Sequence, residues 1–165
     1  MVFIFASSAG GIRIADLLTL QKANIDGDYL DYTTRKNIKK IRLWIPYPAR
    51  EILSRYLGVG PQNRDWIFPI LNLDAEETAD KKVHSAIQSA TSKINRGLKE
   101  IAKLAGVSKR LSSHQSRHYF CTHAISMGER LEVVSAILGH SDLATTQGYA
   151  RVLDKVKTDA MKRLQ

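Results

Sequence analysis

The strongest constraint on how this chain folds lies between about Thr78 and Leu104. There Val83, Ile87, Ala90, Ile94 and Leu98 recur at three- and four-residue intervals. That spacing gathers five apolar side chains onto one stripe of a long α-helix, which Gly106 closes. Such a helix needs neighbours to bury the stripe, so the rest of the chain must supply a packed layer around it. With 165 residues, there is enough chain for about one domain with a real core.

The flanking segments supply those neighbours. "GIRIADLLTLQ" follows the Gly10–Gly11 break with apolar residues near helical spacing. "DYLDYTT" and "KIRLWIPYP" alternate apolar and polar residues, as half-buried strands do, and "RKNIKK" between them reads as a basic hairpin tip. Pro48 opens a helix through "AREILSRYL", which stops at Gly58, Gly60 and Pro61. "DWIFPI" reads as a short buried segment before the acidic loop Asp74 to Asp80. Shorter helices follow, broken at Ser112–Ser113, at Gly128 and between Gly139 and Asp142. The expected fold is a mixed α+β domain over residues 1–165, predominantly helical, with a small antiparallel β-sheet at its edge. There is no internal repeat or low-complexity tract.

Charge narrows the class of partner. Lys and Arg number 25 against 16 Asp and Glu, a net +9. Such an excess favours a polyanion, nucleic acid before a membrane surface. No apolar run approaches a membrane span, and "MVFIFASSAGG" lacks the basic start of a signal peptide. Cys121 is the only cysteine, which excludes a disulfide framework and a cysteine-rich zinc site and fits a reducing cytoplasm.

The stretch "SSHQSRH" from Ser112 to His118 brings His114, Arg117 and His118 within one helical turn of each other. Like-charged neighbours at that spacing repel, so helix stability does not call for them. A solvated basic helix start is the plain alternative. Ser112 with Gln115 fits a capping box, placing His114 in the first turn, where helix amides favour an anion. His118 reads as a structural, hydrogen-bonded histidine and His123 as a surface or core-edge residue. A second reading takes "LKEIAKLAGVSKRLSSHQSRH" as a helix-turn-helix, with Ser113, Gln115 and Arg117 on base edges. "VVSAILGHSDLATTQGYARV" is a similar weak match. This alternative is a non-catalytic DNA-binding regulator.

Separated elements decide between these readings. "GGIRIADLLTL" carries Arg13, the basic hairpin carries Lys36, "HQSR" carries His114 and Arg117, "ILGHS" carries His140 and "TTQGYARV" carries Tyr149. In order and spacing they resemble the catalytic domain of the tyrosine recombinases, the phage-integrase family. The resemblance spans Arg13 to Tyr149. There are departures: Gly10-Gly11-Ile12-Arg13 stands where the family usually has Thr-Gly-Leu-Arg. Ser116 replaces an apolar residue in Ser113-His114-Gln115-Ser116-Arg117-His118, and Gly148 precedes Tyr149.

The resemblance implies DNA strand cleavage and rejoining through a 3′-phosphotyrosine. Arg13 and Arg117 would hold the nonbridging phosphate oxygens, and Tyr149 would attack phosphorus. Lys36 would protonate the leaving 5′-oxygen, with Lys39 and Lys40 as alternatives on the same hairpin. His114 would assist proton transfer and His140 would hydrogen-bond the phosphate. Asp16 either buttresses an arginine or is a solvated helix carboxylate. The resemblance calls for no metal, ATP or other cofactor. It implies double-stranded DNA as partner, a tetramer on DNA for the full-length protein, a monomeric isolated domain and a nucleoid-associated, cytoplasmic location. It also implies a separate N-terminal DNA-clamping domain in the full-length protein, so this sequence reads as a catalytic-domain fragment. The tail "LDKVKTDAMKRLQ" sets Leu153, Val156, Ala160 and Leu164 on one stripe. That stripe packs either on its own domain or on a neighbouring protomer.

Overall fold

The computed structural model describes residues 1–57, 66–71, 73, 80–140 and 150–164. The long helix is present as α4 (Asp80–Leu104). Val83, Ile87, Ala90 and Leu98 on its stripe are buried and Ile94 is partly buried. Burying each of the larger aliphatic side chains contributes about 1.5–3 kcal/mol. The helix ends as expected: the N–H of Val107 returns to the carbonyl of Ala102 (2.9 Å) around Gly106.

Ahead of α4 come α1 (Val2–Ser8) and α2 (Ile14–Leu18), joined through Gly10 and Gly11. A three-stranded antiparallel sheet follows, ordered β1 (Ile25–Asp26), β2 (Tyr29–Thr33), β3 (Lys40–Trp44). The short β1 was not anticipated; two residues are too few to show an alternation. In β2 and β3 the pairing Leu30↔Leu43 and Tyr32↔Ile41 turns one face inward, where Leu30, Tyr32 and Ile41 are buried. The other face carries Tyr29↔Trp44 and Asp31↔Arg42. There Arg42 bridges Asp26 and Asp31 and lies over the Tyr29 ring.

Helix α3 (Tyr47–Leu57) brings Ala49, Ile52 and Leu53 to the same core. Of the "DWIFPI" segment, Ile67 and Phe68 are buried, Trp66 and Ile70 are partly buried and Pro69 is exposed. Phe68 meets Phe5 and Tyr56 edge-on, with centroids 5.1 and 5.0 Å apart, and Ile67 N–H donates to Leu20. The last part of the chain is α5 (Ser113–Ser126), α6 (Leu131–Leu138) and α7 (Ala150–Arg163). Cys121, Ile125, Val134 and Leu138 form a smaller core between α5 and α6. Helix α5 packs on α1, α4, α6 and α7, so it is held from several sides. Helix α7 lies on α5, while Leu164 of the tail stripe is exposed. Among the described residues no helix is long and apolar enough to cross a membrane.

Candidate active site

Four elements meet around Arg117: the α1–α2 turn, the β2–β3 hairpin, the start of α5 and the end of α6. Arg117 is only 6% exposed. Its Nη1 donates to the Gly11 carbonyl (2.9 Å) and its Nη2 to the Leu138 carbonyl (2.5 Å). One guanidinium therefore ties the first turn of the chain to the end of α6. Gly11 permits that closeness. It adopts φ 64°, and a Cβ there would stand 2.9 Å from Leu138 Cδ2 and 3.2 Å from Phe120 Cβ.

Arg13 lies two residues beyond Gly11, in extended conformation at the N-cap of α2. Its Nη1 is buried and has no hydrogen-bond partner among the described residues. Asp16, one turn on, is 3% exposed and so is not the solvated carboxylate that remained open from sequence. One Asp16 oxygen accepts the N–H of Arg35 (2.8 Å), while the other is buried without a partner. Burial raises the Asp16 pKa above the ordinary value, against the pull of the Arg35 N–H and of the Arg13, Arg117 and Arg35 charges. Tyr32 on β2 adjoins this group. Burial first and the Asp16 charge second push its phenol up to about 12, so it remains protonated at neutral pH.

The hairpin is fastened at both ends of its tip. Thr34 is buried, and its hydroxyl accepts the N–H of Lys39 (3.0 Å). The Asn37 amide donates to the Gly139 carbonyl (3.0 Å). Helix α6 stops at Gly139 with φ 63°, and the next residue is His140. A Cβ on Gly139 would come within 3.1 Å of Ile41, so glycine lets α6 end against the hairpin. His140 is half-buried. Its imidazole is pushed down to about 4 by burial, then by the charges of Arg117, Arg13, Lys36 and Lys39. Lys36 and Lys39 thus share the electrostatic environment of His140, while Lys40 pairs with Thr33 at the start of β3.

His114 occupies the first turn of α5, its ring edge-to-face with His118 at 4.5 Å. Shielding by the surrounding protein, then the charges of His118, Arg117 and Arg13, lower its pKa below the ordinary imidazole value. The capping box expected at Ser112 and Gln115 does not form. The Ser112 side chain makes no cap bond; the Gln115 N–H donates instead to the Ser112 carbonyl (2.9 Å), and the Asn95 side-chain oxygen of α4 accepts the Ser113 N–H (2.7 Å). Ser116 is buried, and its hydroxyl returns to the Ser113 carbonyl (2.7 Å), so a polar residue fits where an apolar one was expected. His123 is exposed and stacks on Tyr119. The helix-turn-helix reading fails at Arg117, which lies at the floor of the cluster bonded to two carbonyls, not on an outward recognition face.

Arg117, Arg13 and Lys36 thus all act on His140, and Arg117 and Arg13 on His114, so these five residues share one cationic environment. Tyr149 and its neighbour Gly148 lie outside the described residues. Sequence reasoning missed Asn37, Thr34 and Tyr32 as parts of this site. A polar residue in a basic hairpin tip gives no sign of which carbonyl it will reach. No group of acidic, cysteine and histidine residues suited to a metal occurs among the described residues.

The comparisons with known proteins give the family and the fold. The sequence profile described as "Phage integrase family" matches residues 3–155. The tyrosine recombinase XerC of Rickettsia typhi is 28% identical over 152 residues, covering 92% of this chain and 45% of that protein. The chain thus spans about half the length of the curated relatives it matches. The crystal structure of the XerA recombinase superposes with a TM-score of 0.72 at 21% identity, covering 99% of this chain and 57% of the other. The XerH site-specific recombinase, solved bound to its difH substrate, gives a TM-score of 0.65 at 18% identity over 90% of this chain and 41% of that one. These likenesses establish the shared fold. With its profile match across most of the sequence, the chain belongs to the phage integrase family.

Proposed function

We propose that this chain is the catalytic domain of a tyrosine-type, site-specific DNA recombinase that breaks and rejoins strands through Tyr149. The observation that carries the reading is the buried, unpartnered Nη1 of Arg13 beside the buried Arg117. A buried cationic donor without a partner is costly unless an anion completes it. A phosphodiester does so, its two nonbridging oxygens matching two guanidinium groups.

In this mechanism the Tyr149 oxygen attacks phosphorus as its proton passes to neutral His114, and negative charge grows on the oxygens that Arg13 and Arg117 hold. The P–O bond to the 5′-oxygen breaks as the tyrosyl–phosphorus bond forms. Lys36, or Lys39 beside it, gives its proton to the departing 5′-oxygen. His114 and His140 have lowered pKa values, which suits neutral imidazoles acting as proton acceptors or hydrogen-bond partners. In rejoining, the 5′-hydroxyl displaces the tyrosine by the reverse path. The phosphotyrosine conserves the bond energy, so the cycle consumes no ATP, and the cationic side chains fill the role a metal plays elsewhere. Double-stranded DNA is the substrate, and the full-length protein acts as a tetramer on it. The DNA-bound XerH structure supports that choice of substrate.

The test is covalent trapping. The protein is mixed with a pool of duplexes of randomised sequence, each nicked so that a cleaved fragment diffuses away. A protein–DNA band that survives denaturation is expected. A regulator that only binds DNA gives no such band.

A further inference from the structure

The tip of the β2–β3 hairpin holds one residue whose conformation the catalytic reading does not explain. Ile38 has φ 51°, the only non-glycine residue at positive φ among those described. Branched side chains rarely adopt that region, because Cβ crowds the following carbonyl. Asn37, one residue earlier, would tolerate it far better. Ile38 is also 74% exposed, an aliphatic side chain held out to solvent between Lys36 and Lys39. Neither burial nor local preference accounts for it. Strain of this kind persists where the surrounding structure enforces it, and it concentrates at functional positions. The enforcing bonds are the Thr34–Lys39 pair, the Ile38 N–H to Thr34 carbonyl bond (3.0 Å) and the Asn37 anchor on Gly139.

The surroundings indicate what the side chain meets. Ile38 stands on the lip of a cleft of about 680 Å³ between the hairpin and the start of α4. Thr33, Thr34, Arg35, Lys81 and His84 form its other described walls. Two cations, a histidine and two threonines suit a phosphate backbone, whereas the one aliphatic group suits the face or edge of a base. A protein partner with an acidic face would satisfy the cations but leave Ile38 in a polar setting. The same hairpin tip carries Lys36 and is bonded through Asn37 to Gly139 (3.0 Å), the residue before His140, so Ile38 stands on the loop next to the proposed cleavage site.

We propose that Ile38 is an apolar wedge that enters a base step of bound DNA beside the scissile phosphate, while Arg35 and Lys81 carry the backbone of the same strand. This rests on the DNA-cleaving reading above. Aliphatic side chains inserted at a base step unstack it and kink the duplex. Unstacking next to the cleaved bond frees the 5′-end to leave and, later, a new strand to enter. The fixed hairpin matters here, since a wedge on a slack loop would fold back instead of parting the bases.

The experiment uses a short duplex carrying 2-aminopurine at alternate positions, whose fluorescence rises when the base unstacks, titrated with protein at low salt. The wild-type protein raises the fluorescence, and Ile38→Leu, which keeps an aliphatic side chain, raises it as well. Ile38→Gly removes both the wedge and the backbone strain. It melts at the same temperature or higher and binds the duplex within about threefold of wild type, because phosphate contacts dominate affinity. It loses the fluorescence rise. A full rise with Ile38→Gly overturns the proposal, as does wild-type binding with no rise; in both cases the DNA-cleaving reading stands. Failure of the wild-type protein to bind duplex at all overturns that reading and the wedge together.

Discussion

The side-chain amide of Asn37 donates to the carbonyl of Gly139 (3.0 Å), joining the hairpin that carries Lys36 to the residue before His140. Two parts of the site more than a hundred residues apart are set against each other by this bond. Asn37→Ala removes one hydrogen bond worth about 0.5–1.5 kcal/mol, a small loss for a domain of this size. Catalysis suffers more, because the lysines lose their fixed distance from the phosphate. Covalent-complex formation is expected to slow on the order of 10- to 100-fold with little change in melting temperature. Equal, small effects on both would show that the hairpin is held by its other bonds.

Arg13 and Arg117 play different structural parts despite their common proposed chemistry. Arg117→Ala strands the Gly11 and Leu138 carbonyls that its guanidinium satisfies. Each buried carbonyl left bare costs about 1–3 kcal/mol, so this variant should melt several degrees lower as well as lose activity. Arg13→Ala removes a buried donor that has no partner, and its stability should be unchanged or increased. Its rate should still fall about 100- to 1000-fold, the cost of losing one preorganised charge at the transition state. Thermal melting alongside a covalent-capture time course separates the two.

His140 provides a pH signature. Its folded pKa of about 4 lies below the ordinary 6.5, so between those values the unfolded chain takes up a proton that the folded one refuses. Stability is therefore unaffected above pH 6.5, declines as pH falls towards 4 and levels off below that. His114 acts in the same direction. Asp16, raised, acts oppositely: its stabilising proton is lost as pH rises through the folded value. A DNA phosphate seated between the arginines should move His140 back up. The ring-proton resonance of His140, titrated with and without a DNA oligonucleotide, should show a midpoint near 4 that rises on binding. A midpoint at 6.5 in the free protein would contradict the geometry.

The identity of the general acid is open to a chemical rescue. A substrate with sulfur in place of the 5′-bridging oxygen departs as a thiolate and needs no proton. Lys36→Ala should cleave an ordinary substrate slowly and this one at nearly the wild-type rate. If Lys39→Ala is rescued instead, the proton comes from the second lysine, which the charge environment of His140 equally allows.

Much of this architecture is written in local periodicity. The α4 stripe, the alternation across β2 and β3 and the basic hairpin between them are repeated patterns that a single sequence displays. The candidate site residues were singled out by the order of their motifs along the chain. What was not legible are bonds between distant segments. Ser112 reads as a side-chain cap, yet its backbone carbonyl takes the Gln115 N–H and Asn95 takes that of Ser113; Asp16 reads equally well as solvated, yet it is buried and accepts the Arg35 N–H. Arg117 as a fastener of Gly11 and Leu138 depends on backbone carbonyls, which carry no sequence signal at all.

Tyr149 is the centre of the account, and the measurement that reaches it most directly is peptide mapping of the covalent complex trapped on nicked DNA. The wild-type protein should carry its nucleotide adduct on Tyr149. Tyr149→Phe, which removes only the attacking oxygen, should bind the same DNA with similar affinity and form no adduct. An adduct on Tyr119 or another residue, or a covalent band that persists in the phenylalanine variant, would contradict the mechanism.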